Sequence, residues 1–420
     1  MQPYNIAILT TGDELLSGEI SDSNTRTIAG ILSSHGYRLR CSLSVPDQEK
    51  EIVAALEYLK GHVQFIIVTG GLGSTEDDRT ARAAARALHQ RLVINEDALD
   101  MLHQWFARRK RRMEPSNERQ ALLPQYAVPL PNPVGTAPGF RLTDRDCILF
   151  FLPGVPTEME AMFKQSVLPI LQQTIPEAQP LQQRTFKVFG LAEPKIDQMI
   201  PYRQLPEGVE VAFALDYPLV IVKLKARGAE AELRLDQAEA LVLKQLGNHL
   251  MARNDETPEE NVGKLLTNAG LTLSLAESCT GGLVSAMLTS QPGASAFLER
   301  AGVTYADSAK MAWLNVPELI LQQHGAVSEH CARAMASGLR HAAKTDLALA
   351  ITGIAGPDGG SEEKPVGTVF IALASHSGVH VKRYSFSGNR HEIQKMAATM
   401  ALEWLRRFAL QQLENRENYD

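Results

Sequence analysis

The chain has 420 residues, 44% apolar and 21% charged, which is too long for one ordinary core and excludes a largely disordered protein; two or three soluble domains are expected. A net charge of -6 excludes a broad basic face for nucleic acid, and the single basic run at residues 108–112, after Trp105 and Phe106, reads as a solvated helix end. Cys41, Cys147, Cys279 and Cys331 lie far apart without zinc-ligand spacing, and no apolar stretch reaches ~18 residues, so a reduced cytoplasmic protein with neither signal peptide nor membrane span is expected.

Residues 5–10 form an apolar run that fits a buried parallel strand. Residues 23–34 have helical spacing, with Ile28, Ile31 and Leu32 facing inward, and residues 49–60 predict a second helix. The strand 65–69 runs straight into Gly70-Gly71-Leu72-Gly73, the strand–glycine loop–helix order of an open parallel sheet. A further strand, 148–152, precedes a helix expected to be capped by Thr157. Residues 176–183 read as a linker. Residues 184–189 and 220–225 are strand-like and 230–246 helical, a small α+β unit, and residues 252–259 read as a second linker. Beyond it come a helix at 260–269, strands at 271–275, 347–352 and 366–374, and a glycine loop at 353–360. The fold class expected is therefore α/β: two open-sheet domains, 1–175 and 257–420, joined by a small α+β connector, 180–252.

Ligands of such sheets bind at the carboxyl ends of the strands. In the first domain three motifs are expected there: Gly12-Asp13-Glu14, the loop from Gly70 and Gly71 through Thr75 to Asp77 and Asp78, and the loop from Asn132 through Thr136 to Gly139. Glycines let backbone N–H groups approach an anion, and carboxylates beside them suit a divalent metal that bridges phosphates. The metal ligands expected are Asp13, Asp77 and Asp78, with Glu14 as a further candidate.

In the last domain Ser278 follows a strand and precedes Thr280, Gly281 and Gly282, so its hydroxyl is expected at the top of the sheet, with the glycine N–H groups free for an oxyanion. Serine needs a base, and Lys310 or Tyr305 offers one; a lysine serves where burial and neighbours favour its neutral form. Asp307 is expected to face solvent, since an inward carboxylate would hold the amine charged. Cys279 is the rival nucleophile, with His324 and His330 within reach only through the fold.

The motifs TTGDELLSGEISDSN, TGGLGSTEDD, NPVGTAPG and FLPGVPTEM, in this order, resemble the N-terminal domain of the CinA family, with Ser74 where the family usually has Pro. AESCTGG, VTYADSAK, HGAVSE, ITGIAGPDGGSEEKPVGTV and SFSGNR resemble its C-terminal domain, also found alone as the nicotinamide mononucleotide deamidase PncC. The resemblance implies a molybdopterin-binding-like first domain with ADP-ribose pyrophosphatase activity, dependent on magnesium or cobalt. It implies a KH-like connector, in which no GXXG loop for RNA is present. It implies a last domain that deamidates nicotinamide mononucleotide without a cofactor, within a homodimer that serves pyridine nucleotide salvage. By the same resemblance Ser278 is the nucleophile and Lys310 the base, assisted by Tyr305. Thr352, Gly353 and Arg390 then belong to the substrate pocket, Arg390 competing with Lys364 for the phosphate. Two other readings stand beside this one: a first domain that holds a pterin or nucleotide without turnover, and a scaffold for DNA uptake, which the weak basicity disfavours.

Overall fold

The structure is a computed structural model that describes residues 5–75, 78–176 and 179–417. Contacts divide the chain into two compact units, Met1–Gln182 with Arg227–Ala231, and Gln183–Ala226 with Glu232–Asp420. No helix among the described residues is long and apolar enough to cross a membrane.

The first unit is built on a six-stranded sheet. Its parallel part places Leu39–Val45, Ile6–Thr11, Phe65–Thr69 and Cys147–Leu152 side by side. Ile6–Thr11 and Phe65–Thr69 are buried along their whole length, which explains their unbroken apolar sequence: helices cover both faces. The sheet is not parallel throughout. Gly139–Asp144 and Val128–Leu130 continue it antiparallel, so the loop at residues 131–138 is a hairpin connection. Phe140 pairs with Phe151, one residue from the end of Cys147–Leu152, which still returns that loop to the carboxyl end of the parallel strands. The helix Ser23–Ser34 starts where Asp22 accepts the Thr25 N–H, and it buries Ile28 and Leu32. Thr157, by contrast, is not a cap: Val155 holds that position and Pro156 supplies the first turn. The basic run closes the helix Glu96–Arg108, exposed as expected, with Arg109 stacked 4.1 Å above the Trp105 ring.

The second unit carries two sheets. Leu181–Val188, Glu210–Asp216, Leu219–Arg227 and Leu250–Arg253 form one, with the helix Ala231–Leu246. Both expected linkers shrink against it. Residues 181–183 open its first strand, and Ala252 and Arg253 end its last, while Thr257 caps the helix Pro258–Asn268. Glu177 and Ala178 of the first linker lie outside the described residues.

The other sheet runs in the order Leu298–Val303, Leu273–Glu277, Leu347–Gly353, Thr368–Ser375, Gly378–Ser385, the first three parallel and the last two antiparallel. Alternation decides what packs on each face. Leu347, Leu349 and Ile351 point to the side covered by the helix Arg390–Glu417. Ala348 and Ala350 point to the helix Glu329–Ala343. Small residues on that second face let the helix lie close, and a Cβ on its Gly338 would fall 1.7 Å from the Leu314 carbonyl oxygen. Enlarging either alanine would overpack the layer at a cost of about 1–3 kcal/mol.

Candidate active site

The register of the last sheet assembles one cluster. Glu277 pairs with Val303 on one side and Ile351 on the other, so the next residues, Ser278, Thr304 and Thr352, share one edge at the carboxyl ends of three parallel strands. The Ser278 N–H bonds to the Ile351 carbonyl at 3.0 Å, and the Thr304 N–H to the Glu277 carbonyl at 2.8 Å, extending the ladder past the strands. Gly281 (φ +64°) and Gly282 (φ +96°) then turn the chain into the helix Leu283–Thr289, a left-handed pair that residues with a Cβ rarely adopt.

Lys310, from the helix Asp307–Leu314, reaches under this edge and is 1% exposed. Its Nζ lies 3.5 Å from Ser278 Oγ and donates to the carbonyls of Thr304 (3.1 Å) and Tyr305 (2.8 Å). Two sequence expectations change here. Tyr305 meets Lys310 through its backbone oxygen, whereas its phenol, on a 57% exposed side chain, accepts from Arg390 at 3.0 Å. Asp307 is solvent-exposed as expected, yet one carboxylate oxygen still comes within 3.8 Å of Lys310 Nζ.

The glycine N–H groups are not free for an oxyanion. Gly281 donates to the Ser278 carbonyl, and Gly282 to the Glu277 carboxylate. Glu277, fully buried, also accepts from the N–H groups of Val284 (3.1 Å) and Ser285 (2.8 Å) and from the Ser285 hydroxyl. It caps the first turn of that helix from beneath. Sequence reasoning quoted this glutamate within its motif without assigning it a role; the available signal was a carboxylate closing a fully buried strand just before a glycine pair. The N–H groups of Cys279 and Thr280 meet no carbonyl or carboxylate among the described residues and lie against the Cys279 sulfur. The Thr280 and Thr304 hydroxyls are also buried without a partner among the described residues. Gln394, also missed from sequence, fixes the turn by donating to the Cys279 carbonyl at 2.8 Å.

Cys279 is buried, and desolvation pushes its thiol up to about 12; Glu277 adds to that, and nearby N–H groups and Arg390 oppose it. His324 and His330 stack on each other, ring centroids 3.8 Å apart. Arg390 joins the same edge, donating to the Gly356 carbonyl at 2.7 Å and to Tyr305, while Lys364 reaches the His324 carbonyl at 2.9 Å. Thr352 donates to the Ala326 carbonyl, and a Cβ on Gly353 would meet the Thr368 carbonyl oxygen at 2.7 Å.

In the first unit the expected motifs do gather at strand ends, but their polar groups are engaged locally. Asp78 accepts from the N–H groups of Gly73 and Thr75 and from the Thr75 hydroxyl. Asn132 accepts from Val134 and Gly135, and donates to the Ala137 carbonyl and to Glu158. Thr136 meets Gln120 at 3.4 Å. Gly70 and Gly71 are required by close packing, since Cβ atoms there would fall 2.5 Å from the Thr11 carbonyl oxygen and 2.3 Å from Thr80 Oγ1. Asp13 and Glu14 are exposed at the first strand end and Asp47 stands beside them, its carboxyl raised, by burial first, against hydrogen bonds that lower it. Asp77 lies outside the described residues. Among the described residues no three acidic, histidine or cysteine side chains gather as metal ligands, and the expected set of Asp13, Asp77 and Asp78 includes one residue outside them.

Residues 7–173 match the probable molybdopterin binding domain family, and residues 255–409 the CinA C-terminal domain family. A CinA-like protein of Syntrophotalea carbinolica is 56% identical over 404 residues, covering 96% of this chain and 98% of its own. A CinA-like protein of Geobacter metallireducens is 48% identical over 407 residues, covering 96% and 98%. Among solved structures, a CinA superfamily protein from Klebsiella pneumoniae is 35% identical and covers 36% of this chain and 96% of its own, with a TM-score of 0.36.

Proposed function

The chain belongs to the CinA family, and we propose that its C-terminal domain hydrolyses the carboxamide of nicotinamide mononucleotide to a carboxylate and ammonia, with Ser278 as nucleophile and Lys310 as base. The observation that carries the reading is the buried amine of Lys310 beside the Ser278 hydroxyl. A neutral amine has two N–H groups, which the Thr304 and Tyr305 carbonyls take, and its lone pair is left for the serine proton. A separation of 3.5 Å is of the kind that tightens when substrate arrives.

Ser278 Oγ attacks the carboxamide carbon while its proton passes to Lys310. The resulting oxyanion takes the N–H of Cys279, with Thr280 as second donor. The ammonium of Lys310 returns the proton to the departing nitrogen, releasing ammonia and leaving an ester on Ser278. Water, its proton taken by the same amine, adds to that ester; collapse breaks the ester bond to Ser278, whose oxygen takes the proton back from Lys310, and yields nicotinate mononucleotide. The choice of this carboxamide rests on the family motifs around these residues. Arg390 uses two of its five N–H groups on Gly356 and Tyr305, and the rest suit the substrate phosphate.

For the N-terminal unit, the local engagement of Asp78 and Asn132 favours a nucleotide- or pterin-binding module over a metal-dependent ADP-ribose pyrophosphatase. One experiment tests both units: the full chain is incubated with nicotinamide mononucleotide and, separately, with ADP-ribose and magnesium or cobalt, and products are identified by mass spectrometry. Nicotinate mononucleotide from the first supports the deamidase and its absence ends that reading. AMP and ribose 5-phosphate from the second overturn the binding-module reading.

A further inference from the structure

A cavity of about 550 Å³ in the second compact unit shares no lining residue with the Ser278 site. One wall is the edge strand Gly378–Ser385, where His380, Lys382 and Tyr384 alternate and so project from one face. The facing wall is one stripe of the helix Arg390–Glu417, Met400, Trp404, Arg407 and Gln411, at helical spacing. Phe189 and His249, which flank strands of the connector sheet, close it.

Its chemistry is mixed in a specific way. The aromatic rings of Trp404 and His380 are 5.0 Å apart, and Trp404 Nε1 donates to the Tyr384 hydroxyl at 2.7 Å. That leaves the hydroxyl hydrogen of Tyr384 without an acceptor among the described residues. Buried Glu403 is neutralised by equally buried Arg406, whose Nε lies 2.7 Å from its carboxylate. Arg407 also touches Glu403, so the cavity keeps an excess of positive charge. Lys382 adds to it: among the described residues it has no carboxylate partner, and its amine sits 5.2 Å from the centre of the Tyr384 ring.

We propose that this cavity is a second ligand site, for a flat heteroaromatic body carrying a phosphate, the class of a nucleoside monophosphate. An apolar occupant would leave Lys382, Arg407 and the Tyr384 hydroxyl unmatched, and a bare anion would leave the aromatic walls in water. The volume falls in the range of small-molecule sites. The reading does not rest on the deamidase proposal. It bears on that site only through the shared helix, whose Arg390 and Gln394 anchor Tyr305 and the Cys279 turn.

The test uses AMP as probe. The chain has three tryptophans, so replacing Trp105 and Trp313 with Phe leaves Trp404 as the reporter within the full-length protein. Saturable change in its emission with AMP is expected, with Kd raised at least ~10-fold by Lys382→Glu and no comparable response to inorganic phosphate. Calorimetry on the unsubstituted chain and on Lys382→Glu repeats the comparison without the tryptophan changes. Three results overturn the proposal: no response to millimolar AMP, equal affinity in Lys382→Glu, or inorganic phosphate acting as well as AMP. A change of oligomeric state on Lys382→Glu in place of any change in AMP binding also overturns it, by making the face a contact between copies.

Discussion

Both large sheets carry glycine-rich turns at the carboxyl ends of their parallel strands, yet the polar residues there do different work. In the first unit the motif residues build their own loops: Asp78 ties Gly73 to Thr75, and Asn132 ties Val134 and Gly135 to Ala137. In the second unit a residue outside the proposed reacting set does the building. Glu277 takes three N–H groups of the turn, so Ser278 and Lys310 are positioned without being consumed. On the proposed reading, a polar motif at a strand end is left able to react when its structural hydrogen bonds are met by other groups.

The largest expected effect breaks the second half of that contrast. Ser278→Ala should abolish ammonia release from nicotinamide mononucleotide while circular dichroism and thermal unfolding stay near the parent, since a buried hydroxyl is lost and no backbone bond depends on it. Full activity in that variant would remove the nucleophile from the scheme. Next comes Lys310→Arg. A guanidinium stays protonated and cannot accept the serine proton, so kcat should fall at least ~10²-fold, about as far as in Lys310→Ala. If Lys310→Arg keeps most of kcat, the lysine is only an electrostatic anchor.

Glu277→Gln sharpens the contrast from the building side. The amide places an NH2 against backbone donors in a fully buried position, leaving about 1–3 kcal/mol of unmet hydrogen bonding. Calorimetry should show a lower Tm, and kcat should fall roughly tenfold through misplacement of Ser278, with KM little changed. A variant that loses stability but keeps kcat would separate the turn's architecture from catalysis. Asp78→Ala should show the reverse pattern: a loss of about 1–2 kcal/mol read in the first unit, with deamidation unchanged.

What was legible in the sequence follows the same physics. The helices Ser23–Ser34 and Glu49–Lys60 and the strand Phe65–Thr69 were legible because amphipathic spacing or unbroken apolar burial marks them. Leu39–Val45 and Gly378–Ser385 were not, because edge strands with one exposed face alternate polar residues and resemble loops. Ser278 and Thr280 were identifiable by position after a strand, Thr352 only through the resemblance; residue type offered Lys310 or Tyr305 as base, but which of them meets Ser278 depends on a contact across 32 residues. The roles of Glu277 and of the Tyr305 carbonyl depend on side-chain direction and backbone geometry, and sequence carries neither.

The smallest expected effect concerns the residue beside the nucleophile. Cys279 is chemically the better nucleophile only as a thiolate, and burial holds its thiol up at about 12. Because a raised value keeps the proton on, essentially no thiolate exists between pH 7 and 9. The thiol is also enclosed, whereas Cys41 is partly exposed. Mild iodoacetamide at pH 8 should therefore label Cys41 well before Cys279, as peptide mass mapping would reveal, and spare deamidation. Cys279→Ala should keep kcat within about twofold, since the variant retains the backbone N–H that faces the oxyanion and loses one small buried group. A loss of tenfold or more in Cys279→Ala, together with an active Ser278→Ala, would transfer the chemistry to sulfur and reverse the assignment of which group at this turn reacts and which one packs.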